Sequence, residues 1–343
     1  MKKIAMFSVG SGGHVLPAKN IINELIDHGV SIDRFIFITD ERGIQYLSDI
    51  KVKVLVIDVY RSNYGLLGYI FNFYKFIKTI YKTRKILIKE NVSIVLTTGS
   101  YIAPIASLLS YIMKIKLFVQ EQNIYAGLGN KIASIFPGVV FTSYPDTKNI
   151  VKKRVAYVGP VINKNLLKNR KLNRSQFTLG IQGGSQGSKE INNLFYEYYT
   201  KNDMSEINIL HITGKGKELK KINDSNYSKY DFVDDMNTYY SKINLQISRS
   251  GGGSLEAAYL GIPQILIPYK HGTTSSHQLL NAEYLKKIGL AVIVNSYEEL
   301  DKILNKIFNN LDNWKDLYFN ENIIESGNIK ITDMILKEIN EEL

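Results

Sequence analysis

Apolar side chains along this chain fall into two alternating patterns: short unbroken runs, and stretches with apolar positions three or four apart. Lys3 to Val9 is strand-like and is followed by a glycine loop at Gly10 to Gly13. Pro17 to His28 carries Ala18, Ile21, Ile22, Leu25 and Ile26 at helical spacing, and Gly29 stops it. Phe35 to Thr39, Val52 to Asp58, Val92 to Thr97, Lys116 to Gln120 and Val155 to Val158 read as further strands. Strands alternating with helices predict a parallel sheet covered on both faces. Gly159-Pro160 closes this half, and Val161 to Gln176, rich in Lys, Asn and Arg with little periodicity, reads as a connection.

The pattern then restarts. Phe177 to Ile181 is strand-like and is followed by Gly183-Gly184-Ser185-Gln186-Gly187 and a helix from about Ser188. Ile207 to Thr213 and Tyr230 to Val233 read as strands, the latter running into Asp234-Asp235-Met236. Ile243 to Ile247 and Gln264 to Pro268 bracket Ser248-Arg249-Ser250-Gly251-Gly252-Gly253-Ser254-Leu255-Glu256 and the short helix Ala257 to Leu260. A helix from about Leu279 follows, and Ile331 to Leu343 is an amphipathic helix.

In such folds ligands bind at the carboxyl ends of the strands, where the glycine loops lie. Three glycines before a helix let a ligand approach the backbone, and the free N–H groups of the helix start favour an anion such as a diphosphate. Glu256, about one turn in, is poorly placed for phosphate and better suited to accept from sugar or ribose hydroxyls. The first loop is not Gly-x-Gly-x-x-Gly followed by an acidic ribose ligand, which argues against a nicotinamide cofactor. Thr98-Gly99-Ser100-Tyr101 and Glu121-Gln122-Asn123 also put polar residues at strand ends, although Glu121 to Asn123 is equally compatible with capping a following helix.

Composition adds less. The formal net charge is +11, which points to an anionic partner, and cysteine is absent, which excludes disulfides and thiol chemistry. The start of the chain reads as a first strand, with no export signal, and no run reaches membrane-spanning length. Residues 65 to 90 stand apart. Ile70, Phe73, Tyr74, Ile77, Ile80 and Tyr81 share a helical face beside a stripe of Lys75, Lys78, Lys82, Lys85 and Lys89. Most of that face belongs on a sheet; the surplus aromatics Tyr64, Tyr69 and Phe71 suit an anionic membrane surface. No basic-aromatic module for nucleic acid is visible, so nucleic acid is not an expected partner.

Taken in order, these motifs resemble the MurG family of bacterial N-acetylglucosaminyltransferases over nearly the whole length. The motifs are Gly10-Ser11-Gly12-Gly13-His14, Gly99-Ser100-Tyr101, Glu121-Gln122-Asn123, Gly183-Gly184-Ser185-Gln186-Gly187 with Asn192, Phe232-Val233-Asp234-Asp235-Met236, Ser248-Arg249-Ser250-Gly251, Gly261-Ile262-Pro263 and His277-Gln278. The resemblance implies an α/β protein of the GT-B class, two Rossmann-like domains facing across a cleft. The expected divisions are an acceptor-binding, membrane-facing domain over 1–160, a linker over 161–176, a UDP-sugar domain over 177–330, and a final helix over 331–343 packing back on the first domain.

It also implies UDP-N-acetylglucosamine as donor and lipid I, an undecaprenyl-diphosphate sugar, as acceptor. The product would be lipid II, made at the cytoplasmic face of the membrane by a peripheral, inverting enzyme that uses no metal and no cofactor. Phe232 and Val233 would meet the uracil, Met236 would pack near it, and Ser185 with Gly252, Gly253 and Ser254 would face the diphosphate. Glu256 would take the ribose, Gln278 and Asn123 the sugar hydroxyls, and Asn192 and Arg249 belong to the same donor set. Ser11, Gly12, Gly13 and His14 would meet the acceptor diphosphate, with Tyr101 alongside. His14 is the candidate base, since imidazole titrates near neutrality, and Glu121 is the alternative.

Two features depart from the family. Its usual Gly-Asn-Pro-Val-Arg is Gly159-Pro160-Val161-Ile162-Asn163 here, without the arginine, and Lys164 is a point charge lacking bidentate geometry. The glycine loop before Glu256 is one residue short. A lipid-directed transferase for another sugar or acceptor, and a non-catalytic homologue, are the alternatives these departures leave.

Overall fold

The computed structural model describes residues 2–57, 65–151, 154–166, 176–217, 222–269 and 275–341, with backbone alone for 65–76 and 275–276. Tyr64, the central part of the expected linker, and the side chains of Tyr69, Ile70, Phe71, Phe73, Tyr74 and Lys75 lie outside the described residues. The chain forms two compact units, Met1–Val161 with Ser326–Leu343, and Ile162–Glu325.

The first unit runs β1 (Lys3–Phe7), α1 (Gly12–Asp27), β2 (Phe35–Thr39), β3 (Lys53–Val56), α2 (Gly65–Lys89), β4 (Val92–Thr97), α3 (Ala103–Met113), β5 (Lys116–Glu121), α4 (Leu128–Ala133), β6 (Val139–Thr142) and β7 (Val155–Tyr157). The second runs β8 (Thr178–Gln182), α5 (Lys189–Lys201), β9 (Asn208–Ile212), β10 (Tyr227–Tyr230), α6 (Met236–Tyr240), β11 (Leu245–Ser248), α7 (Gly252–Tyr259), β12 (Gln264–Leu266), α8 (Ser275–Lys287), β13 (Ala291–Ile293) and α9 (Tyr297–Phe308). The last helix, α10 (Asn328–Glu341), belongs to the first unit.

Both sheets are parallel, in the orders β3-β2-β1-β4-β5-β6-β7 and β10-β9-β8-β11-β12-β13. Each reverses direction once, between β1 and β4 and between β8 and β11, and a reversal opens a crevice at the carboxyl ends of the two strands. The loops Gly10–Gly13, Thr98–Tyr101, Gly183–Gly187 and Arg249–Gly253 leave from those four strand ends.

Alternation along the first sheet sends Ile4, Met6, Phe35 and Phe37 to one face, under Val15, Ala18, Ile22 and Leu25 of α1 and Ile331, Ile335 and Ile339 of α10. Ala5, Phe7, Ile36, Ile38 and Val95 face the other way, toward Leu87 of α2 and Leu109 of α3. Asn328 donates to Glu24 and Lys116 pairs with Glu338, fixing α10 at both ends. In the second unit Leu179, Ile181 and Ile247 pack beneath Ile191, Phe195, Leu300 and Leu304.

Three of the boundaries that differ from the reading of the sequence have a local cause or consequence. Helix α1 starts at Gly12, not Pro17. Pro17 has no N–H for the Gly13 carbonyl, and Gln122 Nε2 donates to that carbonyl instead, so the helix tolerates its internal proline. The strand expected at Tyr230 to Val233 is Tyr227–Tyr230, an edge strand whose polar residues hide the pattern, and 231–235 is a loop. Helix α7 begins at Gly252, so two of the glycines form its first turn.

Candidate active site

In the first unit the glycine loop is held by the strands beside it. Gly10 turns with φ +94°, a conformation only glycine adopts cheaply, and its N–H donates to Asp40 Oδ1 at 2.8 Å. The buried Asp40 also accepts from Gly43 N (2.9 Å), Arg42 Nε (3.1 Å) and Tyr101 Oη (2.6 Å). Burial alone would raise its carboxyl; the bonds from Tyr101, Gly10, Gly43 and Arg42 outweigh that and hold it below the ordinary range. Burial, helped by Asp40, pushes the Tyr101 phenol up to about 12, so it stays a donor. Arg42 also donates to Tyr101 Oη at 3.1 Å.

His14 sits in the first turn of α1, half-buried. Its Nδ1 lies 2.8 Å from the Thr98 carbonyl oxygen, which can only accept, so Nδ1 carries the proton and Nε2 the lone pair. The Thr98 hydroxyl donates back to the His14 carbonyl at 3.0 Å. Glu121, 3% exposed, accepts at Oε1 from Asn123 N (2.8 Å) and Asn123 Nδ2 (3.1 Å), and at Oε2 from Gly127 N (3.1 Å) and Asn130 Nδ2 (2.9 Å). Four donors on two oxygens leave little lone-pair capacity for a substrate proton.

In the second unit Arg249 joins two loops. Its guanidinium donates to the Ile267 carbonyl (2.8 Å), Ser188 Oγ (2.8 Å) and Glu190 Oε2 (2.5 Å), and it lies over the Tyr269 ring. Asn192 is fully buried and donates to the carbonyls of Thr213 and Lys217. That leaves its Oδ1 to accept from His211 Nε2, and His211 Nδ1 accepts from Tyr227 Oη at 2.6 Å. Burial pushes His211 down to about 3, so it is neutral. Gly187 touches the 213–214 backbone so closely that an added Cβ would lie 2.2 Å from the Thr213 oxygen.

At the start of α7 the Ser254 hydroxyl donates to the Gly251 carbonyl, and nothing lies within 4 Å of a Cβ built on Gly251 or Gly252. Glu256 Oε2 accepts from Tyr240 Oη at 2.9 Å. Burial pushes the Glu256 carboxyl up to about 7, against the lowering effect of that bond. Asp235 caps α6, accepting from Asn237 N and Thr238 Oγ1.

The comparisons with known proteins converge. The N-terminal domain of glycosyltransferase family 28 matches residues 4–142, and its C-terminal domain matches residues 178–329. The chain belongs to glycosyltransferase family 28. Among its relatives, the UDP-N-acetylglucosamine–N-acetylmuramyl-(pentapeptide) pyrophosphoryl-undecaprenol N-acetylglucosamine transferase of Rickettsia felis is 30% identical, covering 99% of this chain and 100% of its own. The enzyme of that name from Thermosipho africanus is also 30% identical, covering 90% and 91%. The crystal structure of Acinetobacter baumannii MurG matches with a TM-score of 0.76 at 23% identity, over 98% of this chain and 100% of that one. The UDP-GlcNAc 2-epimerase of Neisseria meningitidis bound to UDP-GlcNAc matches at 0.70 and 16% identity, over 99% and 100%, a likeness of fold.

Within this family 28 chain, the expected acceptor residues Ser11, Gly12, Gly13, His14 and Tyr101 gather at one strand-end crevice with Glu121 and Asn123. Gly252, Gly253, Ser254 and Glu256 gather at the other, where the Ser250 hydroxyl donates to the Gln278 carbonyl and Tyr269 N donates to Gln278 Oε1. Ser185 is exposed on its loop, and Phe232, 47% exposed, leads through Val233 to Met236. Asn192 and Arg249 are engaged inside the protein, bracing the loops. Ile162 is buried where the family arginine was expected, and Lys164 is exposed. Sequence reading missed Asp40, Arg42 and Tyr240. Asp40 was within reach, being a polar residue just past β2, the same signal that marked Glu121; Tyr240 gave none.

Proposed function

We propose that this family 28 enzyme is an inverting transferase that moves N-acetylglucosamine from UDP-N-acetylglucosamine to the muramoyl sugar of lipid I, making lipid II. The observation that carries the reading is His14. Its Nδ1–H is fixed on a backbone carbonyl, leaving Nε2 as a lone-pair acceptor on a residue in the first turn of α1. In the reaction the acceptor hydroxyl oxygen bonds to the anomeric carbon as its proton passes to His14 Nε2. The bond from that carbon to the diphosphate oxygen breaks, UDP leaves with the electron pair, and the anomer inverts. The second unit supplies the donor site: the open glycines and helix start of α7 for the diphosphate, and Glu256 for the ribose hydroxyls.

Saturation of Glu121 by four donors favours His14 over it as base and gives Glu121 the task of holding Asn123. A transfer assay with lipid I and several UDP-sugars tests the reading. Selective transfer of N-acetylglucosamine is expected; transfer of another sugar, or none, would overturn it.

The enzyme reaches its lipid-linked acceptor from the membrane surface. No helix among the described residues is long and apolar enough to cross a membrane. Helix α2 turns Thr83 and Leu87 inward, yet leaves Ile77, Tyr81 and Ile88 about half exposed (48%, 57% and 54%) beside Lys78, Lys82, Lys85 and Lys89. Exposed Tyr111 and Ile112 of α3 lie on a helix that α2 and α4 both touch, and Tyr111 packs on Phe136 beside exposed Ile135. Apolar side chains ringed by lysines suit shallow insertion among anionic headgroups.

A further inference from the structure

The second sheet carries a buried polar line across three adjacent strands. Gln182 of β8, Gln246 of β11 and Gln264 of β12 are buried on adjacent strands. Unpaired amides there would be costly, and these are paired. Gln264 Nε2 donates to the Ser254 carbonyl (3.0 Å), and Gln246 Nε2 donates to Gln264 Oε1 (3.3 Å) and Ser248 Oγ (3.0 Å). Gln182 Nε2 donates to Gln246 Oε1 (2.8 Å) and to Tyr240 Oη (3.3 Å). Both ends of this line meet helix α7: one at the Ser254 carbonyl, the other through Tyr240.

Tyr240 is 1% exposed. Its hydroxyl oxygen lies 3.1 Å from the Gly253 carbonyl oxygen and 2.9 Å from Glu256 Oε2. A phenol has one proton, so it serves one of these acceptors at a time. An ionised carboxylate is the stronger acceptor and takes it; when Glu256 is protonated, the Tyr240 proton is available to Gly253. Tyr239, packed edge to face on Tyr240, is the other titratable group of this cluster, and burial holds both phenols in the neutral form.

We propose that Tyr240 is a positioning residue for nucleotide recognition: held by the glutamine line, its hydroxyl orients Glu256 and the Gly253 turn together and favours the ionised carboxylate that receives the ribose diol. The proposal rests on the reading of Glu256 as the ribose acceptor. The same hydroxyl lowers the carboxyl against the raising effect of burial, so its removal moves Glu256 upward.

The test is calorimetry of UDP-N-acetylglucosamine on the full chain across pH 5.5 to 8.5. This ligand's diphosphate is esterified at both ends and does not titrate in that range. Wild-type affinity should rise with pH through about 7, where Glu256 ionises. Tyr240→Phe should weaken binding by about three- to tenfold and move the midpoint of the rise to higher pH. A simple packing defect would lower affinity equally at every pH and leave the midpoint in place. Gln182→Met, which removes the donor to Tyr240, should give a smaller shift of the same sign, and decides the matter should Tyr240→Phe fail to fold. A wild-type midpoint in both variants overturns the proposal. Glu256→Gln separates the two readings: unchanged affinity there sinks the ribose role of Glu256, whereas weakened, pH-flat binding there with a wild-type profile in Tyr240→Phe sinks Tyr240 alone.

Discussion

Glu121 and Glu256 are the same residue type at the ligand ends of two sheets whose strand order reverses in the same way, and their surroundings oppose each other. Glu121 receives four N–H donors. Glu256 receives one phenol, and burial pushes it up to about 7. Donor supply, not residue identity, decides what a carboxylate at such a site does. The saturated one serves as a bracket for the backbone around it, and the undersupplied one keeps lone pairs that a ribose can use.

The largest expected effect tests whether Glu121 is a bracket at all. His14→Ala should lower turnover by roughly 10²–10⁴-fold in single-turnover kinetics while UDP-sugar binding persists. A loss of only a few-fold would hand the base role to Glu121 or to solvent and break the contrast. Next, Glu256→Gln should weaken UDP-sugar binding by about 1.5–3 kcal/mol by calorimetry, since a charged acceptor is removed.

That variant should also gain stability. A carboxyl raised from 4.5 to about 7 binds its proton more tightly folded than unfolded, so its contribution is full below about pH 4.5 and is lost as pH rises through 7. Glu256→Gln removes this loss: its unfolding free energy from denaturant titration should exceed wild type at pH 8, by up to roughly 3 kcal/mol, and match it near pH 4. Glu121→Gln should do the opposite, costing about 1–3 kcal/mol at pH 8, because an amide turns its NH₂ toward donors. Equal signs for the two substitutions would sink the comparison. The smallest effect lies at the surface. Reversing Lys78, Lys82 and Lys85 to Glu should abolish salt-sensitive cosedimentation with anionic vesicles, at about 1 kcal/mol per lysine, and leave UDP binding intact. Wild-type cosedimentation in that variant would place the membrane face elsewhere.

Much of this was legible beforehand. Strands β1, β2 and β4 are mostly apolar runs buried along nearly their whole length, so their reading matched the structure within a residue or two. The edge strand β10 was displaced because Tyr227–Tyr230 packs on one neighbour and keeps polar residues outward. Strands β6 and β13, four and three residues long, were missed. The surplus of apolar positions on α2 was visible as a pattern, but which of them the core would take was not: Leu87 is buried and Ile88 beside it is half exposed.

The order of apolar runs and glycine loops by itself determined two parallel α/β units and put His14 in the first turn of a helix after a strand and Glu256 about one turn into another, because periodicity and turn chemistry are local properties of the chain. Tertiary structure alone decided the chemical state of each group. The proton on His14 is placed by the Thr98 carbonyl, 84 residues away in sequence, and Glu256 answers to Tyr240, 16 residues before it. Asp40 and Tyr101 meet across 61 residues. Such pairings depend on which strand lies beside which, and two parallel sheets, one whose order reverses at β1 and one at β8, each join residues that no local pattern connects.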